Sequence, residues 1–214
     1  MHLSPEINYT LTIVSGLCWT MVYVLIIYRS FKDKTYGMPF WALAFNISWE
    51  FIFSIVLASH ADATQLIVNR VWLGFDVFIL VAYFVYGRKE WPENVPRILF
   101  YPYSALVIVM SYLFVYLITI KFNDFTGLHI AFIQNLMMSW LFIAMLNRRG
   151  SRAGQSLGIA VLKMLGTLAP AIQFAARSEF VLFLGAGCFV VDCIYIVMLI
   201  PKTRNRTNKI TGRN

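Results

Sequence analysis

The sequence predicts an all-α integral membrane bundle of seven transmembrane helices, with the N-terminus outside and the C-terminus in the cytosol. Three observations carry this expectation. The 214-residue chain is 59% apolar and only 13% charged, against about 45–50% and about 25% in soluble domains, and its mean hydropathy is +0.68. It contains seven apolar runs separated by short connections, and its basic residues alternate between crowded and sparse connections. Its 18 Phe, 11 Tyr and 6 Trp exclude low-complexity disorder. At about 20 residues per crossing, seven crossings leave nothing for an extramembrane domain.

The runs fall at 9–28, 39–59, 71–87, 100–120, 128–146, 157–175 and 180–200, the third nearest the lower limit for a crossing. The first reads as a retained helix rather than a cleaved signal, because Glu6 and no Lys or Arg precede it, while Arg29, Lys32 and Lys34 follow it. The second carries Asn46, Trp49 and Glu50, and the third Trp72 and Asp76. The fourth carries no acid. The fifth has a polar stripe of Gln134, Asn135 and Ser139, which either lines a pocket or serves interhelical hydrogen bonding. In the sixth, Lys163 lies about six residues from the cytosolic end and is expected to snorkel outward, the alternative being that it offsets a carboxylate. The seventh holds Asp192 and Tyr195.

Lys and Arg number 14 on one side of this arrangement and 3 on the other, with Lys163 within a span. The crowded side comprises Arg29, Lys32 and Lys34; Arg88, Lys89 and Arg97; Arg148, Arg149 and Arg152; and Lys202, Arg204, Arg206, Lys209 and Arg213. The sparse side has Arg70, Lys121 and Arg177. The positive-inside rule puts the crowded side in the cytosol. Residues 1–200 then form a single transmembrane domain and 201–214 a basic cytosolic tail. Because the net charge of +8 is scattered between apolar runs, a nucleic-acid partner is not expected. Cys18, Cys188 and Cys193 all lie in apolar runs, which argues against a disulfide framework. His2, His60 and His129 have no metal-site spacing.

An acid inside the hydrocarbon is costly unless it faces the bundle interior and is paired. Glu50, Asp76 and Asp192 qualify, at roughly 16, 16 and 12 Å from the cytosolic ends of their helices at 1.5 Å per residue. One reading is that each locks helix packing through hydrogen bonds. The favoured reading is a shared polar pocket in which at least one carboxyl stays protonated and serves as a general acid. Asn46, one turn before Glu50, is placed to hydrogen-bond its carboxyl. Trp49, Trp72 and Tyr195 are candidates for stabilising a cation, with packing and interfacial belts as the alternative.

Several function classes are missing their equipment. The Asp-rich D-D-x-x-D and D-x-D-D motifs of soluble isoprenoid cyclases do not occur, nor do a P-loop, G-x-S-x-G or H-E-x-x-H. The last span has no Lys for a retinal Schiff base, and no pair of related three-helix halves marks a sugar carrier.

Five segments in order resemble the small integral-membrane terpene cyclases of fungal meroterpenoid and indole-diterpene biosynthesis. They are Tyr36-Gly37-Met38-Pro39, Asn46-Ile47-Ser48-Trp49-Glu50, Arg70-Val71-Trp72 with Asp76, the stretch from Arg149 to Ser156 followed by Lys163 and Gly166-Thr167, and Asp192 in the last helix. The resemblance covers nearly the whole chain and implies cyclisation of a prenyl chain on an aromatic or heteroaromatic head group. It implies Glu50 and Asp192 as the catalytic acids and no cofactor, since this chemistry needs neither metal nor diphosphate. It also implies an upstream prenyltransferase and flavin epoxidase, and residence in the endoplasmic reticulum if the source is eukaryotic. Asp76, Asn46, Trp49, Trp72, Tyr195, Gln134 and Asn135 are then supporting residues, and the partners are the lipid bilayer and an epoxidised, prenylated hydrophobic substrate. From a different class, a proton-coupled small-molecule transporter using the same carboxylates as a relay is the alternative.

Overall fold

The computed structural model describes residues 3–211, with side chains as far as residue 200. His2 and Arg213 lie outside the described residues, as do the side chains of Lys202, Arg204, Arg206 and Lys209. Seven α-helices follow in order: α1 (Pro5–Asp33), α2 (Phe40–Phe51), α3 (Ala63–Tyr86), α4 (Phe100–Phe122), α5 (Leu128–Arg149), α6 (Leu157–Phe174) and α7 (Glu179–Thr211). The described residues contain no strand.

Local chemistry sets the helix starts. Ser4, Asp62 and Ser156 cap α1, α3 and α6 by accepting from Ile7, Gln65 and Ile159 backbone N–H groups at 3.3, 2.9 and 3.2 Å. Asp124 does the same work for α5, its carboxylate accepting from the N–H groups of Leu128, His129 and Ile130 at 3.1, 2.9 and 3.1 Å.

Three boundaries differ from the sequence expectation. The third helix begins at Ala63 rather than 71, because the Asp62 cap and a Gln65–Asn69 side-chain bond of 2.6 Å keep a polar first turn helical. The second apolar run is α-helical only to Phe51, then widens into a π-turn at Ile52–Val56, where Leu57 N–H reaches Ile52 carbonyl at 2.7 Å, and ends in a 3₁₀ turn at Ala58–His60. The last helix runs through the expected tail to Thr211.

Six helices are long and apolar enough to cross a membrane, and the shorter apolar helix is Phe40–Val56. At 1.5 Å per residue that segment extends about 26 Å, short of the ~30 Å hydrocarbon thickness. It compensates by its position, since α2 is packed by α3, α4 and α5. The helices form a ring in which α1 packs on α3 and α6, α6 on α7, α7 on α5, α5 on α2, and α2 on α3, while α4 lies against α2 outside the ring. The outer surface carries Leu17, Phe78, Leu117, Phe183 and Val197, all exposed and suited to lipid tails.

Small residues allow the closest approaches, as expected where lipid removes the usual hydrophobic drive. A Cβ on Gly166 of α6 would lie 2.8 Å from the Trp19 ring of α1, and one on Gly185 of α7 would lie 2.5 Å from Ala171 of α6.

The crowded basic connections meet at one end of the bundle. Arg29 pairs with Asp33 at 2.7 Å, Asp33 also accepts from Gly154 N–H at 2.9 Å, and Glu90 is held by Arg149 at 2.9 Å, by Arg148 at 3.3 Å and by the Thr35 hydroxyl. Gly154, at φ +74°, packs on the 36–37 segment, where an added Cβ would lie 2.8 Å from Tyr36 carbonyl oxygen. Two of the segments that carry the family resemblance therefore meet as structure, closing the basic end.

Candidate active site

Glu50, Asp76 and Asp192 are all buried, at 2%, 0% and 1% exposure, but the structure divides them between two polar clusters. The first joins α1, α2 and α3. The Asn46 side-chain amide donates to Asp76 Oδ2 at 2.8 Å and to the Tyr23 hydroxyl oxygen at 2.6 Å, and Tyr23 donates to Glu50 Oε1 at 3.4 Å. Asn46 thus serves Asp76 directly and Glu50 only through Tyr23, because one helical turn of rise from Asn46 to Glu50 still leaves its amide aimed across at α3. Glu50 Oε2 and Asp76 Oδ1 are buried without a hydrogen-bond partner. Each retains acceptor capacity that native interiors ordinarily fill.

Aromatic rings surround this cluster. Centroids of Trp72, Phe75 and Trp19 lie 5.8, 5.9 and 6.3 Å from that of Tyr23. Trp72 is fixed by donating its indole N–H to Thr20 at 3.1 Å. The Glu50 helix ends at the π-turn directly after it, an irregularity that recurs at functional positions.

The second cluster joins α5, α6 and α7. Lys163 Nζ donates to Asp192 Oδ1 at 2.9 Å, to Oδ2 at 3.0 Å and to Ser139 Oγ at 2.6 Å. Lys163 is 0% exposed and does not snorkel. Snorkelling would leave the buried Asp192 charge uncompensated, and pairing satisfies both ions where water is absent.

The remaining expected residues are placed as follows. Trp49 donates to Gly127 carbonyl at 3.0 Å and packs on Phe53, at the end away from the basic connections. Tyr195 donates to Gln155 at 2.6 Å and packs on Phe142. Neither bonds to an acid. Gln134 is buried with Oε1 unpartnered, and Asn135 Oδ1 is likewise unpartnered. Sequence reasoning missed Tyr23, whose position, about ten residues from the basic end of α1, puts it roughly 15 Å deep, level with Glu50 and Asp76. Asp124 was also missed; the sequence cue was an acid followed by Gly127 at a helix start. Among the described residues no group of three His, Cys, Asp or Glu is arranged to hold a metal ion.

A cavity of about 710 Å³ lies elsewhere, at the basic end between α2, α4, α5 and the 87–99 connection. None of the three membrane acids lines it.

The chain matches a family profile described as Pyr4-like transmembrane terpene cyclases over residues 3–205. It belongs to this family. Among its relatives, the Pyr4-family terpene cyclase mfmH of Annulohypoxylon moriforme is 29% identical over 173 residues, covering 78% of this chain and 69% of the relative. The terpene cyclase pyr4 of Aspergillus fumigatus is 25% identical over 204 residues, 87% of this chain and 83% of the relative. The terpene cyclase macJ of Penicillium terrestre is 27% identical over 176 residues, 79% and 67% respectively. Membership makes the chain an enzyme that cyclises terpenoids and, with its six helices long and apolar enough to cross a membrane, a multi-pass membrane protein. The transporter alternative is set aside on this ground.

Proposed function

We propose that this Pyr4-like cyclase starts its reaction by general-acid catalysis, without metal or diphosphate, on a prenyl chain epoxidised at its terminal double bond and attached to an aromatic or heteroaromatic head group. The supporting observation is the Tyr23–Asn46–Glu50–Asp76 cluster: two carboxyl groups buried together, each with an unpartnered oxygen, with no basic side chain among the described residues bonded to either, and with aromatic rings packed around Tyr23.

In this reading Glu50 gives its proton to the epoxide oxygen, the bond from that oxygen to the more substituted carbon breaks, and the oxygen becomes a hydroxyl. The electron-deficient carbon takes the electron pair of the next alkene, and the cation passes along the folded chain until a C–H proton is lost. Substrate and product have the same atoms. Trp72, Phe75 and Trp19 stabilise the cation through their ring faces. Asp76, through Asn46 and Tyr23, orients Glu50. Asp192 differs in kind, because Lys163 already compensates its charge; it acts as a fixed negative group that stabilises the late cation, and the final C–H proton returns to the Glu50 carboxylate, which restores the acid. Gln134 and Asn135 supply acceptors for polar substrate atoms. A positioned general acid contributes about 10²–10⁴-fold, so chain folding in a dry site supplies much of the rest.

The pathway context proposed with it is meroterpenoid-type secondary metabolism in the endoplasmic reticulum, downstream of a prenyltransferase and a flavin epoxidase. The test is to give membranes containing the protein an epoxidised farnesyl phenol and to look for a product of equal mass and altered retention. Glu50→Gln keeps the size and hydrogen-bonding capacity but removes the proton, and is expected to lower turnover at least ~10²-fold with the protein still folded. Undiminished turnover in Glu50→Gln would overturn the assignment.

A further inference from the structure

The cavity at the basic end is not explained by the acid clusters. Its floor is a packed aromatic cluster: the buried Phe40 and Tyr83 stack at 3.9 Å, Tyr83 and the buried Phe100 lie 5.2 Å apart, and the more exposed Trp91 and Tyr103 continue it, Trp91 meeting Phe100 at 5.6 Å and Tyr103 at 5.3 Å. Ile79 and Leu43, both fully buried, lie between this floor and the Asn46–Asp76 pair. Along α3, Tyr83 is seven residues from Asp76, or about 10 Å.

Its rim has two sides of different chemistry. On the outer face Trp41, Tyr103 and Leu106 are 42%, 36% and 59% exposed, and the Trp41 indole N–H donates to the Tyr103 hydroxyl at 2.8 Å, tying α2 to α4. At the basic end stand Glu90 and Arg148, the only charged residues lining the cavity among the described side chains, and they are bonded to each other at 3.3 Å. Arg148 also donates to the Tyr36 hydroxyl, and burial pushes that phenol above its ordinary pKa, so it remains neutral. One donor of the lining is unmet: Trp91 Nε1 is buried and has no partner. With both lining charges already engaged, the group this cavity lacks is a neutral acceptor oxygen rather than a phosphate.

A volume of about 710 Å³ falls within the ~300–1,000 Å³ of small-molecule sites. We propose that this cavity is a docking station for the head group of the substrate: it packs an aromatic ring against Trp91 and Tyr103, which the buried Phe40–Tyr83–Phe100 stack backs, donates from Trp91 to an oxygen on that ring, and leaves the prenyl chain directed past Leu106 into lipid. This rests on the function proposed above and deepens it, since a prenylated aromatic compound presents such a ring at the level of the membrane surface. Docking there precedes cyclisation at the acids.

The probe is a phenol bearing a saturated farnesyl chain, which cannot cyclise, added to the purified full-length protein in detergent and read by thermal shift. Trp91→Phe removes the donor and keeps a ring, and Ala144→Phe narrows the cavity from an exposed position on α5. Trp91→Phe is expected to weaken binding about three- to tenfold and Ala144→Phe by at least as much. The corresponding farnesyl benzene, lacking the oxygen, should bind the parent and Trp91→Phe alike. Equal affinity for the phenol in the parent and both variants would overturn the proposal. So would a shift by phosphatidylglycerol that Ala144→Phe abolishes while the phenol gives none, which would make the cavity a lipid site. The readout is independent of turnover. If the epoxidised phenol is never cyclised, the proposed function fails, and the binding data still decide whether the cavity takes the ring.

Discussion

Asp76 and Lys163 separate two ways in which a buried carboxylate is kept in the membrane. Asp76 is held by a neutral amide, Asn46, and has an oxygen to spare. Replacing it by Asn keeps the shape and is expected to slow cyclisation by about 10–100-fold without abolishing product, the scale at which removing an orienting group acts in metal sites. Full turnover in Asp76→Asn would reduce the residue to packing. Lys163 instead meets a full negative charge at 2.9 and 3.0 Å. Lys163→Met leaves Asp192 buried and uncompensated, so it should cost about 3–5 kcal/mol, seen as a lower unfolding temperature in detergent. Adding Asp192→Asn should restore a large part of that loss, a recovery that a merely local packing defect would not show.

At this scale the depth of each acid was legible and its direction was not. Rise per residue puts Glu50, Asp76 and Asp192 at similar heights from counting alone. Which of them meet depends on the azimuth of α1, α2, α3, α6 and α7, which arises from packing between helices. That is why the expected shared pocket of three resolves into a pair joined by Tyr23 and Asn46 and an ion pair on the opposite arc of the ring.

Among the elements, the segments richest in family resemblance divide by task. In the function proposed above Asn46 to Glu50 carries the chemistry, whereas Tyr36-Gly37 and the 149–156 stretch lock the basic end. Gly154 shows the locking in one residue. Its φ of +74° disfavours any side chain, and a Cβ would stand 2.8 Å from Tyr36 carbonyl oxygen and 3.1 Å from Arg149 Nη1. Gly154→Ala is therefore expected to destabilise by about 1–3 kcal/mol, measurable as a drop in unfolding temperature, while leaving the distant acid cluster able to turn over substrate. A glycine at that place was visible in the sequence, but its close packing was not, since Gly150 in the same stretch shares a positive φ, +60°, yet has no atom within 4 Å of an added Cβ. The π-turn at Ile52–Val56 was equally hidden, because its five residues continue the apolar run without Pro or Gly.

For the whole molecule, seven helices and their order were legible because lipid demands that each crossing satisfy its own backbone, which leaves a long apolar run little choice but helix. Orientation is a separate matter of charge. The structure gathers the connections at 34–39, 87–99 and 150–156 into one interlocked end, where Arg29, Arg148 and Arg149 are tied to Asp33 and Glu90. Pairing with two acids does not cancel the asymmetry, since 14 of the 18 basic residues belong to that side of the chain and only 3 to the other. Short loops with this bias are retained in the cytosol. Reporters fused after residue 214 and inserted in the 148–152 connection should therefore both read as cytosolic, and one placed before residue 5 as extracytosolic. The insertion is best judged by its location signal alone, because it interrupts the Arg149–Glu90 contact. An extracytosolic signal from the C-terminal fusion would invert the bundle, and with it would move the aromatic cavity, and the side from which a head group reaches it, to the opposite membrane face.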